Sequence, residues 1–91
     1  LAGQVNKDAA DVTQQTRAVL KQVDDLLSRT GSAKEKVLSA TIYLADINTF
    51  ADMNKAWDAW VPAGQCPART TVETKLAAPE YLVEITVVAG K

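Results

Sequence analysis

The sequence predicts an α+β two-layer sandwich, a mixed β-sheet covered on one face by two helices. Three observations carry this. Apolar residues recur at helical spacing over 11–30 and again over 47–60. Apolar and polar residues alternate over 37–46. Two further extended stretches, roughly 68–76 and 81–89, then close the chain around a proline-containing turn. With a strand-like start, the order is strand, helix, strand, helix, strand, strand. Each strand–helix–strand segment is a crossover, which permits parallel pairing and predicts a right-handed connection.

The opening "LAGQV" has the character of the last residues of a strand with no strand before it. Residues 1–91 are therefore expected to form a single domain lacking N-terminal strand residues. In the first helix Val12, Val19, Leu20, Val23, Leu26 and Leu27 share one side, and Gln14, Arg17, Lys21, Asp24 and Asp25 the other. Gly31 suits the position just past the helix, where a left-handed conformation costs glycine little. "SAKEK" (32–36) is a polar connection with about one helical turn. In "VLSATIYLAD" (37–46), Leu38, Ala40, Ile42 and Leu44 face one way and Ser39, Thr41 and Tyr43 the other. Asp46 or Asn48 is placed to cap the second helix, which carries Ile47, Phe50, Met53, Trp57 and Trp60 at three- and four-residue steps. Phe50, Trp57 and Trp60 are expected in the core. "VPAGQCP" ends that helix with two prolines and a glycine.

The last two strands are expected to form a hairpin. With an even loop, Thr70, Val72, Thr74 and Leu76 share a face with Tyr81, Val83, Ile85, Val87 and Ala89, beneath the helices. Arg69, Thr71, Glu73 and Lys75 then share the open face with Leu82, Glu84, Thr86 and Val88. A four-residue loop sets Glu73 opposite Glu84; a tighter register sets Arg69 opposite Glu84. The sequence leaves both open, along with a plain cross-strand ion pair worth roughly 0.2–1 kcal/mol. The open face, with Leu82, Val88 and Tyr43, is apolar enough to favour subunit association.

Composition narrows the chemistry. Eleven acidic and ten basic residues give a net charge of −1 with neither sign clustered, so no basic patch invites nucleic acid or a membrane surface. No stretch approaches the roughly 18 apolar residues of a membrane span, and no signal-peptide pattern is present. There is no histidine, which excludes Ser-His-Asp and Cys-His sites and His-ligated zinc. One cysteine, Cys66, forms neither an internal disulfide nor a thiolate metal site, and is read as an incidental loop thiol; a cytoplasmic protein is the default. Any catalysis must run on carboxylates, Arg, Lys, Tyr, Thr, water and backbone groups.

The stretches "ATIYLADINTFADMNKAWDAW", "PART" and "LVEI", with the early "GQ" and "DVTQQT", resemble the Rid family, the small trimeric enamine/imine deaminases also called YjgF-like proteins. The family's C-terminal signature is matched by Pro67-Ala68-Arg69, Val72 and Val83-Glu84-Ile85. The resemblance implies a chorismate-mutase-like fold and a homotrimer with clefts between neighbouring subunits. It also implies that Arg69 binds a substrate carboxylate and Glu84 positions the attacking water. Gly3 would line the site with its backbone, Asn54 would lie near the cleft, and Tyr43 and Thr71 are further candidate substrate contacts. Thr71 stands where active members often carry cysteine, and Thr70 where a small residue is usual. The family's N-terminal site tyrosine has no counterpart in this sequence.

The chemistry fits the residues. Arginine's planar fork donates two parallel hydrogen bonds to a carboxylate and stays charged at any working pH. A 2-imino acid presents such a carboxylate beside an electrophilic C=N carbon, and a second carboxylate can hold and deprotonate a water aimed at it. The product is a 2-oxo acid and ammonia, with no metal or organic cofactor required. A non-catalytic module binding a 2-oxo acid or amino acid is the alternative, and an RNA-directed role ranks last.

Overall fold

The structure, a computed structural model, describes residues 3–6, 11–32, 36–61 and 67–90. Helix α1 (Val12–Arg29) is followed by strand β1 (Val37–Leu44), a 3₁₀ turn (Ile47–Thr49), helix α2 (Phe50–Trp60), and strands β2 (Ala68–Glu73) and β3 (Val83–Ala89). The predicted two-layer α+β sandwich is what forms.

Helix α1 begins where Asp11 accepts a hydrogen bond from the Gln14 amide at 2.7 Å, satisfying one of the orphan donors of the first turn. It ends where Gly31 adopts φ +78°. There the Ser32 amide reaches back to the Leu27 carbonyl (2.8 Å) and the Gly31 amide to that of Ser28 (3.3 Å), a paired closure that occupies the last carbonyls. Asp46 caps the 3₁₀ turn through the Asn48 amide (2.9 Å) rather than α2 itself, whose N-cap, Thr49, makes no side-chain capping bond. No described helix is long and apolar enough to cross a membrane.

The sheet order is β2-β1-β3, with β1 parallel to β2 and antiparallel to β3. Gln4 bridges Ile85 in antiparallel fashion, with N–H···O distances of 2.8 and 3.1 Å, so that this one residue pairs with the outer side of β3. The expected hairpin does not form. Residues 74–82 instead carry the chain over the end of β1, where the Thr74 amide bonds to Leu44 and the Ala45 amide to Leu82. Inserting β1 between β2 and β3 satisfies both of its backbone edges. Leu76 and Tyr81 consequently lie in the connection rather than in strands.

Without the hairpin, loop length no longer decides which residues of β2 and β3 share a face. The facing of each outer strand is set by its register with β1. Ala40, Ile42 and Leu44, all buried beneath the helices, pair with Val87, Ile85 and Val83 of β3 and with Arg69, Thr71 and Glu73 of β2. The β3 assignment holds, whereas that of β2 is inverted: Thr70 and Val72 look outward, and Arg69 and Thr71 look toward the helix layer. Leu38 also departs from its expected face. A bulge between Val37 and Ser39 turns it outward, 64% exposed.

Leu20, Leu27, Ile42, Leu44, Met53 and Ile85, each at most 1% exposed, form the centre of the core. Trp57 and Trp60 join it with ring centroids 5.5 Å apart, and the Trp60 indole N–H donates to Asp24 at 3.0 Å, tying α2 to α1. Phe50, expected in the core, is 38% exposed at the rim of α2. Cys66, residues 33–35 of the polar connection and 62–66 after α2 lie outside the described residues.

Candidate functional site

Residues 50, 54, 57 and 58 of α2 fall at three- and four-residue steps and therefore share one face of the helix. Arg69 reaches toward that face from β2. Its Nη1 donates to Asn54 Oδ1 at 2.5 Å, and its Cζ lies 5.4 Å from the Phe50 ring centroid and 5.5 Å from that of Trp57. The Asn54 amide nitrogen in turn points to Asp58 Oδ2 (3.4 Å), which leaves the amide oxygen facing the guanidinium. Among the described residues no carboxylate forms an ion pair with Arg69. Two residues along, Thr71 Oγ1 is buried without a hydrogen-bond partner among the described residues. At the end of β2, Glu73 Oε2 accepts from the Ile47 amide (2.9 Å) and fixes the turn leading into α2.

The opposite face of the sheet carries the second group. Glu84 is half-buried and pairs in register with Tyr43 of β1, which is itself half-buried. Gly3 lies against Glu84 so closely that a Cβ there would stand 2.3 Å from Glu84 Oε2 and 2.9 Å from Cδ. The surrounding surface includes Val72 and Val88, 37% and 55% exposed.

The six residues singled out from the sequence therefore sort into two clusters. Arg69, Asn54 and Thr71 occupy the helix side of the sheet; Glu84, Gly3 and Tyr43 occupy the open side. Within one chain Arg69 and Glu84 lie on opposite faces with β1 between them, so the cross-strand ion pair does not form. Sequence reasoning missed the part of Phe50, whose ring lies beside Arg69. The signal was the seven-residue step from Phe50 to Trp57 with Asn54 between them. It also missed Gln15 of α1, 1% exposed, whose side chain donates to the Glu80 carbonyl (2.8 Å) and accepts from the Leu82 amide (2.9 Å). That bond pair holds the 74–82 connection in place beside a concavity of about 470 Å³, walled by Ala45, Leu76, Pro79 and Tyr81, that contains neither cluster.

The chain belongs to the YjgF/Rid family, also called the RutC family; the family model described as endoribonuclease L-PSP matches residues 1–91. Among its relatives is the RutC family protein YoaB of Escherichia coli, 55% identical over 81 residues, which represent 89% of this chain and 71% of that protein. A RutC family protein of Haemophilus ducreyi is 42% identical over 90 residues, 98% of this chain and 77% of that one. The crystal structure of a YjgF family member from Neisseria meningitidis superposes with a TM-score of 0.98 at 48% identity, covering 100% of this chain and 76% of that one. A Rid family protein from Yersinia pestis gives a TM-score of 0.85 at 36% identity, over 91% of this chain and 66% of that one.

Proposed function

We propose that the protein hydrolyses reactive 2-imino acids and their enamine tautomers, of the 2-aminoacrylate type, to 2-oxo acids and ammonia. One observation carries the reading. Arg69, half-buried and held by Asn54, has no carboxylate partner among the described residues, so a fixed cation stands ready for an anionic group. The substrate carboxylate takes the guanidinium fork, which fixes the adjacent C=N carbon. Glu84 holds a water and removes its proton as the oxygen attacks that carbon. Glu84 passes that proton to the nitrogen to give a carbinolamine; the hydroxyl proton then moves to the same nitrogen as the C–N bond breaks, a C=O bond forms and ammonia leaves. An imine in water is already close to hydrolysis, so a general base contributing about 10²–10⁴-fold suffices, with no metal or organic cofactor.

Because Arg69 and Glu84 of one chain face opposite ways, each reaction centre takes its arginine from one subunit and its carboxylate from a neighbour. This fits the homotrimer with intersubunit clefts that the family resemblance implies, and it gives the half-apolar open face an occupant. A cytoplasmic setting suits such a scavenger of metabolic intermediates.

The test is release of ammonia and 2-oxo acid from enzymatically generated 2-iminobutyrate and 2-iminopropionate. The native chain is expected to accelerate it, and Arg69→Ala to remove the acceleration. Acceleration surviving in Arg69→Ala would refute the anchor. The alternative, a sensor that binds a 2-oxo acid without turnover, differs at Glu84→Gln: turnover collapses in an enzyme, whereas carboxylate binding persists in either case. The family model's description as an endoribonuclease and a Salmonella typhimurium relative described as a putative translation initiation inhibitor raise an RNA-directed role. A net charge of −1, no histidine and no basic stripe argue against it.

A further inference from the structure

The surroundings of Arg69 extend beyond its bond to Asn54. Phe50 and Trp57 are seven residues apart on α2, about 10.5 Å along the helix axis at 1.5 Å per residue. The Arg69 Cζ lies 5.4 Å from one ring centroid and 5.5 Å from the other, within the roughly 6 Å over which a cation is drawn to a π face. The guanidinium thus occupies a slot between two rings, with the Asn54 oxygen as its polar stop. The two rings are not equivalent in the fold. Trp57 is 4% exposed and belongs to the core, whereas Phe50 is 38% exposed and contributes far less to it.

We propose that Phe50 is a positioning residue. With Trp57 it clamps the Arg69 guanidinium, so that the fork is oriented for a substrate carboxylate before the substrate arrives. This rests on the reading of Arg69 as the carboxylate anchor. An unclamped arginine on a flexible stem must lose its rotamer freedom at each binding event, whereas a clamped one has already lost it in folding. Anchoring serves ground and transition states alike, so the clamp acts on KM rather than kcat.

Two measurements test it together. Phe50→Leu, which keeps apolar bulk but removes the π face, is expected to raise KM for 2-iminobutyrate about three- to tenfold, the scale of a cation–π contact at a partly exposed site, and to change kcat less than about twofold. Phe50→Tyr is expected to restore the native KM. In ¹H–¹⁵N spectra of the arginine Nε–H groups, assigned with Arg69→Lys, the Arg69 signal is expected upfield of those of the exposed Arg17 and Arg29 through the ring currents. Phe50→Leu should move it toward them, and Phe50→Tyr should not. An Arg69 signal coincident with those of Arg17 and Arg29, or equal KM values in the Leu and native proteins, would overturn the clamp. A displaced Arg69 signal in a native protein that turns over no imino acid would leave the clamp standing and overturn the deaminase reading instead. In that case 2-oxobutyrate affinity replaces KM as the measure, with Phe50→Leu expected to weaken it by the same factor and an unchanged affinity counting against the clamp.

Discussion

A single methyl group at residue 3 would stand 2.3 Å from the Glu84 carboxylate oxygen. The obstructed group is the far end of a flexible side chain, so Gly3→Ala is expected to leave the stability measured by denaturant unfolding within about 1 kcal/mol of native. The displaced carboxylate, however, should cost about tenfold or more in kcat for 2-iminobutyrate hydrolysis, since misplacement by 1 Å can cost about 10². Equal loss of stability and turnover would mean that Gly3 serves the fold alone. At this scale the sequence was informative about identity and silent about orientation. The pattern Pro67-Ala68-Arg69 with Val83-Glu84-Ile85 picked out the two residues, but which face each occupies depends on which strand lies beside it. Phe50 was hidden for a related reason: an aromatic residue at helical spacing looks the same whether it fills a core or flanks a cation.

Elements with a repeating chemical period were the legible ones. Helix α1 announces itself through Val12, Val19, Leu20, Val23 and Leu27, all buried, and its stop through Gly31. Gly31 has no atom within 4 Å of a hypothetical Cβ, so Gly31→Ala meets no clash. It is expected to cost about 1–2 kcal/mol purely from the left-handed backbone, seen as a lower denaturation midpoint with an unchanged m-value. Strand neighbours, by contrast, are set by contacts far apart in sequence. Two consecutive extended stretches favour a hairpin locally, yet β1 gains partners on both edges only by lying between them. The Leu38 bulge was equally invisible, because one extra residue leaves no mark on an alternating pattern. Gln15 shows how the resulting connection is held. Gln15→Leu leaves the Glu80 carbonyl and Leu82 amide without their side-chain partner, and about 1–3 kcal/mol of stability should be lost in equilibrium unfolding. A variant as stable as native would mean that the 74–82 connection is held by its backbone alone.

For the whole molecule the separation of Arg69 and Glu84 makes a prediction that neither residue makes alone. Arg69→Ala and Glu84→Gln chains, each inactive by itself, are expected to regain activity when co-expressed or refolded together. With random 1:1 mixing in a ring of like interfaces, about one cleft in four receives its arginine and its carboxylate from the competent subunits. Recovery near a quarter of native turnover, measured on the unfractionated mixture, supports shared sites. Activity no greater than that of the separate mutants would place both groups in one subunit. The case for subunit association was partly visible in the sequence as an open face carrying Val88 and Tyr43 beside charges. What was not visible was that Arg69 and Glu84 are divided between the faces, because the expected hairpin set β2 beside β3.

The position of β3 also sets when the protein can become a protein. Val83, Ile85 and Val87 are buried against Ala40, Ile42 and Leu44, yet they are the last of the described core residues in chain order. Until residues 83–89 emerge, the nascent chain holds β1 with one backbone edge unpaired and an apolar strip uncovered, the condition in which strands join with those of other chains. The core around β1 therefore closes only after residues 83–89 have been made.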